Sequence, residues 1–530
     1  MKRVTLLSAA SVSFSLCALA VAGELSEEIR GAIRGAAIKD ATIAVSVRDA
    51  ESDHELVAID SNRWMIPASN MKLLTSGAAL LTLGPDFAFR TTLHLERPGE
   101  SEGGEAGQRP ANSAGQVPID ESPRLVLVAD GDPAFADPQL LSKTSWTDAS
   151  GTRRVGMTAD QLLGLWVDAV RAAGITTVRE VVVDDRVFDR EFFHPQWPEA
   201  QRNQRSFAEV AGLNFQTNLL QFFPRPGKGP RPEVGDVRPR APWIPIDNQG
   251  TARAGKADKQ TVWFARQPTR NSFVVKGNVK YSAVEPVEVP LHDVPAFVAR
   301  LLAERLREKG ITVGTARVAA KDEPKAAGEV IGPVIQTPLA AVLERCNTDS
   351  QNVYAESLLK RIGHATSGAS GSWTNGAAAI RSALTARVGP KLPGSDLSGL
   401  VVSDGSGLSR QNRVSASLLT LWIGVFHRDA RLASTFIDSL AIGGESGTLR
   451  NRFGKLAGSG VTVQCKTGFI NGVSCLSGVV TASDGRRRSF SVLGNNLVQG
   501  GAVAKAKKLQ ETIVELIAAD LAARTVLGGD

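Results

Sequence analysis

Three short groups of residues in this chain have the types and spacing to do chemistry: Ser69-Asn70-Met71-Lys72, Ser350-Gln351-Asn352 and Lys466-Thr467-Gly468. The first opens an apolar, helix-like run, so Ser69 sits at a helix start with Lys72 one turn on. Residues i and i+3 share a helix face, and the amine reaches the hydroxyl. A hydroxyl is a weak nucleophile until a base takes its proton. A lysine kept from water beside other cations can lose its own proton and act as that base. Ser350 could pass a proton to a leaving group, and Asn352 could hold a substrate amide. Lys466 and Thr467 lie on a strand, placed to grip a carboxylate, and Gly468 lets a ligand approach the backbone. Each group alone also fits a structural role: a capped helix with a solvated lysine, a polar helix cap, or an edge-strand lysine. A second Ser-x-x-Lys, from Ser357 to Lys360, falls inside a helical pattern with no start signal and reads as ordinary helix surface.

The elements that must position these residues follow from the hydropathy pattern. Residues 42–49 alternate as a strand, and with 54–60 they form a hairpin. A helix runs from the Pro67-Ala68-Ser69 start to Gly84-Pro85. Residues 97–123 are poor in large apolar residues and rich in Gly, Pro, Ser and Glu, as in a surface insertion. Strand signals follow at 125–128, 181–183 and 222–223. Residues 224–258 read as a Pro-, Gly- and Arg-rich linker, a solvated loop that could also touch anionic polymers. A helix near 293–309 precedes a strand at 312–319, and 321–333 reads as a hinge. Helical patterns cover 338–362 and 374–388. The chain ends with strands at 461–467, 473–481 and 488–495 and a helix at 502–523. One sheet can hold the two N-terminal and three C-terminal strands, which makes roughly 90–330 an insertion into a single domain.

Composition sets the outer bounds. The chain has 530 residues, 42% hydrophobic and 22% charged, and this is ordinary globular usage. The net charge of +7 comes from scattered Lys and Arg and gives no nucleic-acid footprint. Four Cys and six His are too few and too dispersed for a metal or disulfide framework. There is no His-Glu-x-x-His, Cys-x-x-Cys or Walker glycine loop. Met1-Lys2-Arg3, the apolar stretch 4–19 and Ala20-Val21-Ala22 read as a secretory leader too short to span a membrane. Its removal would take Lys2, Arg3 and Cys17 away and leave a net charge of about +5. The expected product is exported, periplasmic or extracellular, with at most peripheral membrane contact. Of the remaining cysteines, Cys465 and Cys475 flank a short turn as possible cross-strand neighbours. They read as two buried free thiols, with a disulfide as the alternative, and Cys346 stays unpaired either way.

The order S-x-x-K, S-x-N, K-T-G resembles the motif set of penicillin-binding proteins and serine β-lactamases. Ser69 and Ser350 lie 281 residues apart and Asn352 and Lys466 lie 114 apart. A long insertion between the first two motifs resembles the D-alanyl-D-alanine carboxypeptidase/endopeptidase family, peptidase family S13, the class C low-molecular-mass penicillin-binding proteins. PASNMKLLT (67–75), GDPAF (131–135), VVVDDRVFD (181–189), NTDSQNVYAESLLKRIG (347–363), DGSGLSRQNRVS (404–415) and GGESGTLRNRF (443–453) are similar to further segments of that family.

The resemblance implies an α+β fold. A β-lactamase/transpeptidase-like domain, with a five-stranded antiparallel sheet flanked by helices, would carry two inserted, mainly β domains. The expected boundaries are a leader at 1–22, the transpeptidase-like domain at 23–92 and 333–530, and the inserted domains II and III at 93–332, III nested at roughly 105–180. It implies cleavage of D-Ala-D-Ala or D-Ala-diaminopimelate bonds in peptidoglycan stem peptides, and reaction with β-lactam antibiotics. Ser69 would form the acyl-enzyme, Lys72 would be the base, and Ser350 and Asn352 would relay a proton and orient the peptide. Lys466 and Thr467 would hold the carboxylate, and the N–H groups of Ser69 and Phe469 would form the oxyanion hole. Gly468 completes the binding strand, and Arg410 aligns with a stem-peptide contact, a surface ion-pair role being the alternative. No cofactor, metal or nucleic acid is expected.

Two positions depart from the family pattern. Phe469 stands where a hydroxyl residue is usual, which weakens the expected grip on a carboxylate. Trp197-Pro198-Glu199-Ala200 stands for a Trp-Pro-Trp-acidic segment, so Glu199 is the remaining candidate for a diaminopimelate amine. The alternatives are a catalytically weak or inactive wall-binding relative of the same fold, which Phe469 motivates, and a serine β-lactamase, for which no deacylating base is identifiable.

Overall fold

The computed structural model describes residues 23–98, 119–147, 151–391, 397–456 and 458–527. The expected leader, 1–22, and most of the polar stretch 97–123 lie outside the described residues. The chain divides into two compact units. One holds the residues up to Asp86, Leu343–Gln351 and Trp373 onward; the other holds Phe87–Val342 and Asn352–Ser372.

The first unit is built on an antiparallel sheet. Its order is Ala441–Ile442, Val461–Ile470, Val473–Ala482, Arg487–Asn495, Thr42–Asp49, Glu55–Ile59. The five strands expected from the sequence share this sheet, and a two-residue strand adds to one edge. Chain ends meet here because Thr42–Asp49 pairs along its whole length with Arg487–Asn495, from Thr42 opposite Asn495 to Asp49 opposite Arg488. One sheet face packs Val45, Val47, Leu476, Val480, Phe490 and Val492 against Ile513, Val514, Ile517 and Leu521 of the terminal helix Ala502–Leu527 and against Leu25 and Ile29 of a helix at 23–36. The helix Met71–Leu83 buries every residue from Met71 to Leu80. Trp422, on the helix Ala416–His427, is fully buried and donates its indole N–H to Leu73 O at 2.9 Å.

The second unit holds a five-stranded mixed sheet ordered Thr312–Val318, Thr177–Asp184, Arg124–Val128, Ala88–Glu96, Glu329–Pro338. The helices Ala159–Ala172 and Val294–Glu308 lay Leu163, Trp166, Val170, Leu301, Leu302 and Leu306 on its apolar core. Residues 329–338, half of which read as a hinge, form a strand paired with Ala88–Glu96. Val330, Ile331, Val334 and Ile335 are β-branched, and pairing with a partner far away in sequence outweighs the local Gly and Pro.

The helical pattern at 338–362 is two helices, Leu339–Asn347 and Asn352–Ser367. The break falls at Ser350, whose φ of 59° is incompatible with a continuous right-handed helix.

Ser357 and Lys360 are not helix surface. Both are fully buried. Lys360 Nζ pairs with Asp189 at 2.6 Å and donates to Glu191 O at 2.8 Å, and Ser357 Oγ accepts from Asn214 Nδ2 at 3.1 Å. Burial pushes the Lys360 ammonium below its ordinary pKa, and Asp189 opposes that shift. The GDPAF and VVVDDRVFD segments also serve this interior. Asp132 accepts from Ala134 N and Thr337 Oγ1, Asp185 pairs with Arg190, and Asp137 takes the Tyr354 hydroxyl.

Removing one partner of a buried ion pair strands the other charge. Asp189→Ala is therefore expected to lower stability by about 3–5 kcal/mol, with most of it recovered in Asp189→Ala/Lys360→Met. Urea melts of the three proteins check this; equal losses in the single and double variants would contradict the buried-pair reading.

Candidate active site

The first unit brings together Ser69, Lys72, Ser350 and Lys466. Ser69 lies in the one-turn helix Ala68–Asn70 that leads into Met71–Leu83. Ala68 just before it has a φ of 46°, a strained conformation of the kind that collects at functional sites. Lys72 Nζ donates to Ser69 Oγ at 3.1 Å and to Ser406 O at 2.9 Å. Lys72 is fully buried, while Ser69 is half-buried. A second Ser–Lys pair stands in the same unit: Lys466 Nζ donates to Ser350 Oγ at 2.8 Å. Ser350 also sits in left-handed backbone, with its loop held from both sides. Thr348 Oγ1 donates to Ser439 O at 2.8 Å, and Thr448 N donates to Thr348 O at 3.2 Å.

Lys466 is fully buried on the strand Val461–Ile470. Burial, and after it the nearby charge of Lys72, lower its pKa to about 7. Taking an ammonium out of water and placing it beside a like charge both favour the neutral amine. At neutral pH Lys466 is therefore divided between its charged and neutral forms.

Two glycines let the backbone close around Ser69. A Cβ on Gly468 would come within 2.7 Å of Pro67 O, so only glycine lets the Lys-Thr-Gly strand lie this close to the Ser69 turn. Gly407, with φ of 87°, meets the other side, where a Cβ would fall 1.8 Å from Ala68 O. Asn70 ties turn to sheet by donating from Nδ2 to Ser477 Oγ at 2.6 Å, and Ser477 is the cross-strand partner of Lys466. The motif strand pairs with Ala441–Ile442 only through Gln464 and Cys465. Beyond Cys465 its outer side pairs with no strand among the described residues, and such an edge can hydrogen-bond an extended peptide.

Asn352 belongs to the second unit. It opens the helix Asn352–Ser367, and its Nδ2 donates to Ser206 O at 2.8 Å. Thr467 is half-buried and donates its hydroxyl to Thr448 Oγ1 at 3.0 Å; Phe469 is 55% exposed. Arg410 is exposed and donates to Asn471 O at 2.7 Å, on the turn that ends the motif strand. Glu199, in the second unit, is ion-paired with Arg202 at 2.7 Å. Cys465 and Cys475 are free and buried, and they are not cross-strand neighbours: Cys465 faces Gly478, and Cys475 faces Gly468.

The loop 404–407 carries a role that no single-residue reading of the sequence identified. Asp404 accepts from Gly407 N and Ser409 N, which aims Ser406 O at the Lys72 amine, and Thr75 Oγ1 donates to Gly405 O at 2.7 Å. The Asp-Gly-Ser-Gly run was the available signal, since glycines bracketing a polar pair mark a backbone that must fold tightly.

The profile of the D-Ala-D-Ala carboxypeptidase 3 (S13) family matches residues 25–519. A D-alanyl-D-alanine carboxypeptidase of Actinomadura sp. is 33% identical over 487 residues, 89% of this chain and 81% of that protein. Carboxypeptidase DacB of Mycolicibacterium smegmatis is 26% identical, over 86% of this chain and 77% of its own. The crystal structure of penicillin binding protein 4 (dacB) from Haemophilus influenzae superposes with a TM-score of 0.69 at 19% identity, over 94% of this chain and 99% of that one, a likeness of fold.

The folded-state pKa of Lys466 lies below the unfolded lysine value of about 10.4. Between the two, the unfolded chain binds the extra proton, so stability rises with pH across that window. From pH 7 to pH 9 the wild type is expected to gain roughly 2 kcal/mol relative to Lys466→Met. Denaturant midpoints of both proteins at the two pH values check this; parallel curves would place the Lys466 pKa near its ordinary value.

Proposed function

The chain belongs to the D-Ala-D-Ala carboxypeptidase 3 (S13) family, and on that premise we propose that Ser69 is its acyl-enzyme nucleophile and peptidoglycan stem peptide its substrate. The protein is a serine D-Ala-D-Ala peptidase of that family. The observation that carries the assignment is the pair of buried lysines, each hydrogen-bonded to its own serine, Ser69 with Lys72 and Ser350 with Lys466.

The pair suggests how the proton is managed. Lys466 is divided between its charged and neutral forms near pH 7, because burial and then the charge of Lys72 lower its pKa to about 7. A substrate carboxylate beside Lys466 and Thr467 stabilises the charged form of Lys466. That moves the shared proton onto Lys466 and leaves Lys72 neutral, ready to accept the Ser69 proton. The attack then proceeds against a carbonyl held by the N–H groups of Ser69 and Phe469, aimed where negative charge develops. Ser350 relays a proton to the leaving amine, and Asn352, two residues along the chain, orients the peptide amide. Water afterwards cleaves the ester. The open edge beyond Cys465 suits an extended peptide lying along the motif strand.

β-Lactams would acylate the same serine, as cyclic amides that reach it by the same route. The leader at 1–22 directs export, and the site of action is the periplasm or the outer face of the cell; no helix among the described residues is long and apolar enough to cross a membrane. Residues 93–332 comprise, in this reading, two inserted domains, one nested in the other. Glu199, ion-paired with Arg202, is the acidic group left for a diaminopimelate amine, and Arg410 is a second contact to the stem peptide.

Release of D-Ala from a pentapeptide ending in D-Ala-D-Ala tests the proposal. Ser69→Ala and Lys72→Ala are each expected to lose at least about 10³-fold in kcat/KM, because nucleophile and base act as a unit. Full turnover by Ser69→Ala would refute the assignment.

A further inference from the structure

Thr448 lies outside the three motifs, yet its hydroxyl meets the hydroxyl of the Lys-Thr-Gly strand: Thr467 Oγ1 donates to Thr448 Oγ1 at 3.0 Å. Thr448 also reaches the loop of the middle motif. Its backbone N–H donates to Thr348 O at 3.2 Å, two residues before Ser350, and Ser350 Oγ accepts from Lys466 Nζ at 2.8 Å. Joined by the chain from Thr348 to Ser350 and from Lys466 to Thr467, these contacts close a ring. Every residue of the ring belongs to the first unit.

The turn that carries Thr448 is firmly seated. Thr448 is the middle residue of the one-turn helix Gly447–Leu449, and Leu449 is fully buried. Gly447 has a φ of 49°, and a Cβ there would fall 2.1 Å from Thr348 O, so only glycine lets this turn lie against the Ser350 loop. Ser446 Oγ accepts from Ile442 N at 2.9 Å, on the two-residue strand that pairs with the motif strand. The backbone of Thr448 is therefore tied to both motifs, and its β-branched side chain has few rotamers to choose from. Its side chain nevertheless faces solvent.

A threonine hydroxyl has one proton to donate. Thr467 directs its proton to Thr448, and the Thr448 proton has no acceptor among the described residues. The donor that this pair presents outward is thus Thr448.

We propose that Thr448 binds the substrate carboxylate, as the outer member of a two-hydroxyl relay that starts at Thr467, and so sets how strongly the protein prefers peptides with a free C-terminus. This rests on the reading of Lys466 and Thr467 as the carboxylate grip. A carboxylate accepts several hydrogen bonds at once, and a bond to an ionised acceptor is stronger than one to a neutral amide. The Thr448 donor is strengthened in turn because its oxygen already accepts from Thr467, and chained hydrogen bonds polarise one another.

The test compares a pentapeptide ending in D-Ala-D-Ala with the same peptide as its C-terminal amide, and reads the acid-to-amide ratio of kcat/KM in the full chain. Thr448→Val removes the hydroxyl and keeps the shape. It is expected to lower that ratio about tenfold, the size of one hydrogen bond to a charged group. Thr448→Ser is expected to restore the ratio. Thr467→Val runs alongside, because it tests the grip on which the inference rests. A fall with Thr467→Val and none with Thr448→Val overturns the assignment of Thr448 alone. No fall with either variant overturns the grip and Thr448 with it. Equal losses on acid and amide in Thr448→Val, or a Thr448→Ser that does no better than Thr448→Val, show that Thr448 only shapes the turn and overturn its role as a donor.

Discussion

Lys466 is buried close to a second lysine and does not hold its proton firmly at neutral pH. This constraint links the geometry of the site to its chemistry. In water, Lys466 would be an ordinary cation and Ser69 an ordinary alcohol. Burial and the charge of Lys72 bring the Lys466 pKa down to about 7, so a small change in local charge decides whether this amine is charged. A carboxylate beside Lys466 is such a change. In the proposed mechanism the substrate then helps to create the base that activates Ser69, and a peptide without a properly placed carboxylate does so less well.

Holding the lysines this way requires close backbone approaches on both sides of Ser69. Gly468 and Gly407 sit where a Cβ would overlap Pro67 O or Ala68 O. The strain at Ala68 and Ser350 is part of the same arrangement, since left-handed backbone aims each serine at its lysine. Burying both amines is tolerable because each has oxygen partners, Ser406 O and Ser69 Oγ for Lys72, Thr467 O and Ser350 Oγ for Lys466. A buried charge or polar group without partners would cost several kcal/mol. The chain termini stabilise the sheet that carries Lys466, because Thr42–Asp49 pairs with Arg487–Asn495 and the terminal helix covers their common face.

Much of this was legible in the sequence where the signal is local. Alternating apolar residues marked the strand at 42–49, strands were also readable at 461–467 and 488–495, and Ser69, Lys72 and Lys466 were readable from motif order. What depends on distant partners was not. Residues 329–338 look like a polar, Gly- and Pro-bearing hinge until the strand Ala88–Glu96 pairs with them. Lys360 looks solvent-facing until Asp189 and Glu191 are placed against it. Cys465 and Cys475 read as possible cross-strand neighbours flanking a turn, but the register sets each opposite a glycine instead. The role of Ser406 is carried by its carbonyl, which every residue has, so side-chain chemistry could not single it out.

The central claim is that, of two hydroxyls each hydrogen-bonded to a buried lysine, Ser69 is the one acylated. Digestion after brief exposure to benzylpenicillin and an acid quench, with the adduct located by peptide mass spectrometry, tests this most directly. The account predicts one penicilloyl group per chain, on the peptide containing Ser69, with the peptide containing Ser350 unmodified. An adduct on Ser350, or none on either serine, would contradict it.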